Sequence, residues 1–410
     1  MTKSISPRKS ELLSAKPRIN AGRKPTPFHP RQVEKCETND WTLWAGYSVP
    51  NSYHSVELEY FSIRNGATLY DISPMCKYRI KGPDAERFMN RFVPRDVKKI
   101  KPGRVAYAIW CNDEGHILDD GTIFRFGPDD FRLCSQERQY AWLMDSALGF
   151  NVEILDETDD IAALQFQGPT TFAILEAMGI KGVETLKPFD HKNFPFAGTE
   201  LMVSRTGFTG DLGYELWIEP GKALELWDAL MAAGADRTIS PIGSLALDMA
   251  RIEAGFIQPT VDFLHAEHVV RHTRGRSPFE LGLDWQVDFG KGHFTGRRAL
   301  LKEKEGNSSR YCFVGLEIEG NKPAHNALVY HKQKKEIGHI TSAVWSPTMK
   351  NNLAMALLQR PFGVDIQEDL WVEIYVDKEL KWDRVMAKAK IVDRPFFNPP
   401  RKRLTPPARF

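Results

Sequence analysis

The chain has little that would staple, anchor or polarise it. Its five cysteines, Cys36, Cys76, Cys111, Cys134 and Cys312, are scattered and show no Cys-x-x-Cys spacing. An odd, dispersed set excludes a disulfide framework and a zinc ribbon, and fits a reducing compartment. No apolar run approaches the ~20 residues that a membrane-crossing helix needs. No secretory apolar segment opens the chain either. Charge of one sign is missing too: 55 Lys and Arg stand against 53 Asp and Glu, for a net +2. Neither nucleic acid nor a membrane is therefore expected as a partner. Both G-x-G-x-x-G and G-x-x-x-x-G-K-[ST] are absent, which sets aside dinucleotide-binding and phosphate-loop readings. The rest is ordinary for a globular chain: 410 residues, 42% hydrophobic and 26% charged, enough for two or three domains.

Residues 1–40 read as a basic, Pro-rich tail, with Glu11 as the only acid before Glu34. Pro7, Pro17, Pro25, Pro27 and Pro30 break any long amphipathic helix, so a tail is favoured over an organelle presequence. The expected location is cytoplasmic, or mitochondrial if the segment is a presequence. Residues 56–69 read as a helix. Two strand–Gly-Pro–helix units follow, Tyr78–Ile80 with Gly82-Pro83 and Ala163–Phe166 with Gly168-Pro169. They suggest two related halves within an α+β region spanning 41–276. Helices are also expected over Ala223–Met231 and Pro241–Ala254. From 277 to 398 the pattern changes to short alternating runs, including Tyr311–Ile318 and Leu353–Leu358, which read as a separate all-β barrel. Residues 399–410 form a second tail.

Two stretches could carry chemistry. Tyr107–Asp120 ends in adjacent carboxylates, Asp119 and Asp120. Neighbours on a strand point to opposite faces, so one can face solvent while the other faces inward. An inward Asp beside Ile117, Leu118 and Ile123 needs a partner, which makes it a candidate acid. The second stretch, Ser204–Glu215, holds three glycines and ends in Glu215. A carboxylate there can accept two parallel hydrogen bonds from a ring N–H and an exocyclic amine. His265, His268 and His272 would share a face if helical, but Arg271, Arg274 and Arg276 disfavour a bound cation, so no metal is expected.

The pieces that matter recur in a fixed order. They are Leu69-Tyr70-Asp71-Ile72-Ser73, Lys81-Gly82-Pro83-Asp84-Ala85, Lys101-Pro102-Gly103-Arg104, and Asn112 through Asp120. Gln167-Gly168-Pro169, Ser204 through Glu215, Arg251-Ile252-Glu253-Ala254-Gly255, Phe294-Thr295-Gly296-Arg297 and Thr341 through Thr348 complete the set. Over residues 45–395 this set resembles the glycine cleavage T-protein (aminomethyltransferase) family. The relatives of that family include folate-dependent demethylases acting on dimethylsulfoniopropionate and on aromatic O-methyl donors. The resemblance implies three domains in a ring around a central tetrahydrofolate site, the last an all-β barrel. It implies Asp120 as the catalytic acid near N5 of tetrahydrofolate, Glu215 as the pterin clamp and Tyr107 as a pocket wall. It also implies Arg251 at the folate carboxylate tail, with Phe124 and Gln136 in the folate pocket.

The sequence departs from the T-protein pattern on one side. Pro74 stands where that pattern has His, Phe124 where it has Tyr, Gln136 where it has Asn, and Pro259 near another Tyr. Pro74 and Trp345 are expected toward the donor. Changed donor-side residues beside a kept folate side suit a different donor. The expected function is therefore an enzyme moving a methyl group from a small O-, S- or N-methylated donor to N5 of tetrahydrofolate. The alternatives are the glycine-cleavage aminomethyltransferase, with a lipoyl carrier protein as partner, and a non-catalytic folate-binding protein.

Overall fold

The computed structural model describes residues 23–379 and 381–409, so the expectation for residues 1–22 falls outside it. Its frame is set by the two strand–Gly-Pro–helix units. Strand Cys76–Lys81 runs into Gly82 at φ 130°, and strand Ala162–Gln167 into Gly168 at φ 126°. Glycine alone meets both demands there. A Cβ would sit 2.6 Å from the Asn151 carbonyl oxygen at the first position and 2.2 Å from that of Gly66 at the second. Helices Ala85–Phe92 and Thr171–Ala177 follow, burying Phe88, Met89 and Phe92 in one case and Phe172 and Leu175 in the other.

Each unit belongs to its own sheet. The first has the order Arg104–Cys111, Ile117–Gly127, Asp130–Ser135, Cys76–Lys81, Glu153–Asp156. The second has the order His191–Phe196, Thr199–Ser204, Gly213–Ile218, Ala162–Gln167, Ala67–Asp71, Ile239–Pro241. Both follow one path, except that Ala67–Asp71 is inserted in the second. Their outer faces cover separate apolar cores, one around Phe88, Trp110 and Leu133, the other around Phe166, Leu216 and Trp227. Their inner faces share a third core, which brings Val105 and Phe124 of the first sheet against Tyr70, Met202 and Trp217 of the second.

Strands Tyr311–Ile318, Asn351–Gln359, Lys335–Ser346, Leu328–His331, Leu370–Lys378 and Lys381–Val392 close a six-stranded barrel. Its alternation is strict enough to fill the interior with Val314, Leu316, Ile340 and Leu358. On its outside, Phe313, Val344 and Met355 join a core with Ile109 and Ile117 of the first sheet and Ile252 of helix Ser244–Glu253. Two large sheets, a small hairpin of Asp40–Trp44 and Tyr47–Ser52, and a closed barrel thus make up the mixed helix-and-strand fold, the large sheets and the barrel packing through shared cores.

Several boundaries differ from expectation. The helix expected over 56–69 ends at Asn65, and Ala67–Asp71 is a buried strand, because Gly66 stops the helix and the next residues are paired on both sides. The helix expected from Pro241 starts at Ser244, since Ile239–Pro241 pairs in parallel with Ala67–Leu69. Residues 23–40, counted in the tail, are packed. Helix His29–Lys35 places Pro30 in its first turn, where no N–H is needed, and Phe28 lies fully buried beside Trp227. Residues 399–409 run over the second sheet. Arg401 donates to both oxygens of Asp211 at 2.6 Å, and Arg205 donates to the Leu404 carbonyl at 2.6 Å.

One buried carboxylate ties these bodies together. Glu253 accepts from Tyr60 at 2.5 Å, from Arg64 Nη2 at 2.5 Å and Nε at 3.0 Å, and from Ser346 of the barrel. Replacing Glu253 by Ala leaves the Arg64 guanidinium buried with its main partner gone. The expected loss is ~3–5 kcal/mol of unfolding free energy in urea titration; a loss under about 1 kcal/mol, the scale of a surface pair, contradicts this account.

Candidate active site

Strands Arg104–Cys111 and Ile117–Gly127 pair with Tyr107 opposite Thr122, Ile109 opposite Asp120 and Trp110 opposite Asp119. Cys111 then faces Ile117, so Leu118 is an extra residue on its strand. The bulge sets where Leu118 and Ile117 point. Leu118 lies in the outer core, as Trp110 opposite Asp119 does, while Ile117 lies in the core that the first sheet shares with the barrel. Asp120 shares the inner side with Tyr107 and Ile109.

Asp120 is 9% exposed, and its Oδ2 accepts from the Tyr107 hydroxyl at 2.7 Å. Burial pushes its carboxyl up to about 7; the Tyr107 bond pulls it down and the nearby Asp262 adds to the rise. Asp119, expected as the solvated member, is fully buried. It accepts from the Asp120 amide at 2.8 Å, the Glu137 amide at 3.3 Å and Gln139 Nε2 at 3.2 Å. Burial first, then the Asp120 charge, push it well above the carboxylate range. Asp119 therefore holds the backbone from which Asp120 projects. The Tyr107 ring stacks on Trp285 at 6.0 Å, and Trp285 is 63% exposed. No sequence pattern marked Trp285: it sits on a single turn, Asp284–Gln286, with no motif around it.

Glu215 occupies the inner face of the second sheet, opposite both Ser204 and Gln165. It is 7% exposed and accepts from Thr206 at 2.6 Å and Ser204 at 3.4 Å. Burial raises its carboxyl to about 7, against the pull of these two hydroxyls. Gln165 is buried too, and its Oε1 has no partner. A carboxylate and an unsatisfied amide oxygen thus sit side by side. They fit a ligand edge rich in N–H donors, such as the ring N–H and exocyclic amine of a pterin.

The other expected residues divide. Phe124 is fully buried on the inner face, edge-on to Trp217 at 5.2 Å. Pro74 is buried in the turn before Cys76–Lys81, and Gln136 is half-buried, its carbonyl accepting from Trp44 at 3.2 Å. Trp345 is half-buried on barrel strand Lys335–Ser346. Arg251, expected at the folate carboxylate tail, is spent on the protein itself. It is 1% exposed and donates to Asp248 at 2.7 Å, Asp262 at 2.6 Å, the Phe256 carbonyl at 3.1 Å and Ser342 at 2.8 Å. His265, His268 and His272 share no helix face. His265 is buried against Gln139 and stacks on His268 at 4.4 Å, whereas His272 points out to Glu114. Among the described residues, no group of three or more His, Cys, Asp or Glu is placed to hold a metal.

The GCVT N-terminal domain model matches residues 34–291, and the glycine cleavage T-protein C-terminal barrel domain model matches residues 312–398. The aminomethyltransferase of Halothermothrix orenii is 34% identical over 318 residues, 77% of this chain and 86% of that protein. The aminomethyltransferase of Thermotoga maritima is 31% identical over 358 residues, 86% and 93% of the two chains. In fold, the chain is similar to the glycine cleavage system aminomethyltransferase T from Bartonella henselae. The TM-score is 0.78 at 24% identity, over 92% of this chain and 98% of that one.

The raised carboxyl of Asp120 has a measurable sign. Its folded value lies above the unfolded one, so the folded state binds more protons between about pH 4 and 7, and stability falls as pH rises through that window. Asp120→Asn, which removes the titration, is expected to melt higher than the parent at pH 8 and to match it near pH 4. An equal or lower melting point at pH 8 contradicts the assignment.

Proposed function

The chain belongs to the glycine cleavage T-protein family, and on that footing we propose that it transfers a one-carbon unit to tetrahydrofolate, with Asp120 as the acid beside the reacting nitrogen. The observation that supports this best is the pairing of two buried carboxylates, Asp120 and Glu215, on inner faces that share one core. Tetrahydrofolate, when bound, supplies N5 as the amine nucleophile. Glu215, steadied by Ser204 and Thr206, accepts the N–H edge of the pterin and fixes the ring. Tyr107 donates to Oδ2 of Asp120 and so fixes the orientation of the carboxyl. With its carboxyl near 7, Asp120 is divided between acid and base at neutral pH, the condition for moving a proton on and off the amine. The surrounding cores exclude water and hold the groups in register.

The donor separates two readings. Relatives at 31–34% identity are named aminomethyltransferase. They favour an aminomethyl group brought by a lipoyl carrier protein, with ammonia and 5,10-methylenetetrahydrofolate as products. One observation favours the methyl-donor reading instead: Phe124 and Pro74 put buried apolar groups where the T-protein pattern has Tyr and His. A small methylated donor would then give 5-methyltetrahydrofolate. A cytoplasmic setting, in which the five free cysteines stay reduced, belongs to either reading.

Purified protein is expected to bind tetrahydrofolate in calorimetry; absence of heat ends the proposal. Asp120→Asn should keep that binding and slow turnover by ~10²–10⁴-fold, and unchanged turnover removes Asp120 from the chemistry. Glu215→Ala should weaken folate binding by ~1–3 kcal/mol. Ammonia release with the loaded lipoyl carrier selects the first donor class, and 5-methyltetrahydrofolate from a methylated donor selects the second. Tight folate binding with neither product marks a binding protein.

A further inference from the structure

The inner face of the first sheet carries another charged group. Tyr107, Thr122, Cys134 and Lys77 lie directly opposite one another, strand to strand, in a single row. Lys77 is 0% exposed, and among the described residues no carboxylate lies within ion-pair distance of its Nζ. Nζ instead donates to the carbonyls of Ser73 and Met75, each at 2.8 Å. Those two carbonyls bracket Pro74. A buried ammonium without a counter-ion is costly, and an apolar side chain would fill the same space at lower cost.

The register says what the tied turn borders. Gly121 and Cys76 both face Ser135. Asp120 and Met75 are the next residues in the same direction, just past the last paired position, on strands two spacings (about 10 Å) apart. The turn that Lys77 holds is thus the edge of the row that contains Asp120. We propose that Lys77 is a positioning residue that sets donor specificity: its ammonium holds the Ser73-Pro74-Met75 turn against the inner face and so shapes the space where a donor meets Asp120. The inference rests on the reading of Asp120 and Pro74 given above.

Burial lowers the Lys77 value from 10.5 to about 8; the charges of Cys134, Arg132, Asp71 and Cys76 act on it more weakly. Losing the proton turns two charge-assisted bonds into neutral ones of about half the strength. The folded value lies below the unfolded one. Between about pH 8 and 10.5 the group therefore makes the whole fold more stable as pH rises, while the tie on the turn weakens. A residue serving bulk stability alone would not move these two quantities in opposite directions.

The test uses the full chain with Lys77→Met, and Lys77→Gln as a second variant should the first not fold. The expected result is an unchanged or higher melting point and folate affinity within about twofold of the parent. Hydrogen exchange of the 72–76 amides should rise about fivefold or more. At alkaline pH, exchange corrected for its intrinsic rate should rise in the parent and not in the variant. KM should rise, with kcat less changed, for whichever of the loaded lipoyl carrier, dimethylsulfoniopropionate or a methoxybenzoate the parent consumes. Unchanged exchange over 72–76, an unchanged KM for the consumed donor, or a joint fall in melting point and folate affinity overturns the proposal. If the parent consumes none of the three, the functional reading and the donor-specificity role fail together, whereas raised exchange over 72–76 still shows that Lys77 holds the turn.

Discussion

The mutual placement of helix Val56–Asn65, the barrel and the C-terminal segment depends on satisfying the buried Glu253. Its partners come from three parts of the chain: Tyr60 and Arg64 on helix Val56–Asn65, Ser346 on the barrel, and, through its backbone carbonyl, Phe397 beyond the barrel. An ionised group so deeply buried is tolerable only when its donors are complete. Completing them fixes where the helix, the barrel and the C-terminal segment stand relative to one another. Arg64 extends the constraint through Asp211 to Arg401, beside the loop that leads into Glu215.

Within that frame the site is built by small local devices. Strand alternation separates two adjacent acids into different surroundings: one is committed to three N–H donors, the other to a tyrosine hydroxyl. The second sheet does the same. Tyr214 and Leu216 go to the outer core while Glu215 goes to the inner face. Arginines and lysines near the centre are already engaged by protein groups, Arg251 by Asp262 and Asp248, Lys77 by two carbonyls. The side-chain donors to Asp120 and Glu215, by contrast, are hydroxyls.

Much of this was legible in the chain. The Gly-Pro starts stood out because backbone crowding demands glycine there, and most barrel strands because one side of each is buried. Motif order singled out Asp120 and Glu215, and both are buried. What was hidden depended on distant partners. Strand His191–Phe196 carries Lys192, Asn193 and Pro195, the signature of a sheet edge rather than of a strand interior, so no alternation announced it. Leu328–His331 is four residues long, too short to show a period. Asp119 looked solvated because its donors Glu137 and Gln139 lie on the loop after strand Asp130–Ser135. Arg251 looked available because Asp262 and Ser342 are far along the chain. The helix at His29 was masked by prolines that would break a long helix and that suit the first turn of a short one.

The C-terminal segment gives the molecule an order of completion. Arg401 donates to the carbonyl of Arg64 across a separation of 337 residues, and Tyr60 reaches Thr348 across 288. Closing such loops cannot precede synthesis of their far ends, and contacts this non-local form late. Both sheets, with Asp120 and Glu215 already in their strands, can be assembled while the barrel is still emerging. Residues 397–404 then dock on Glu253, Asp211 and Arg205. A ribosome-bound or truncated chain lacking that segment would therefore hold the acids in place yet leave the loop at Arg205–Asp211 without its outer support.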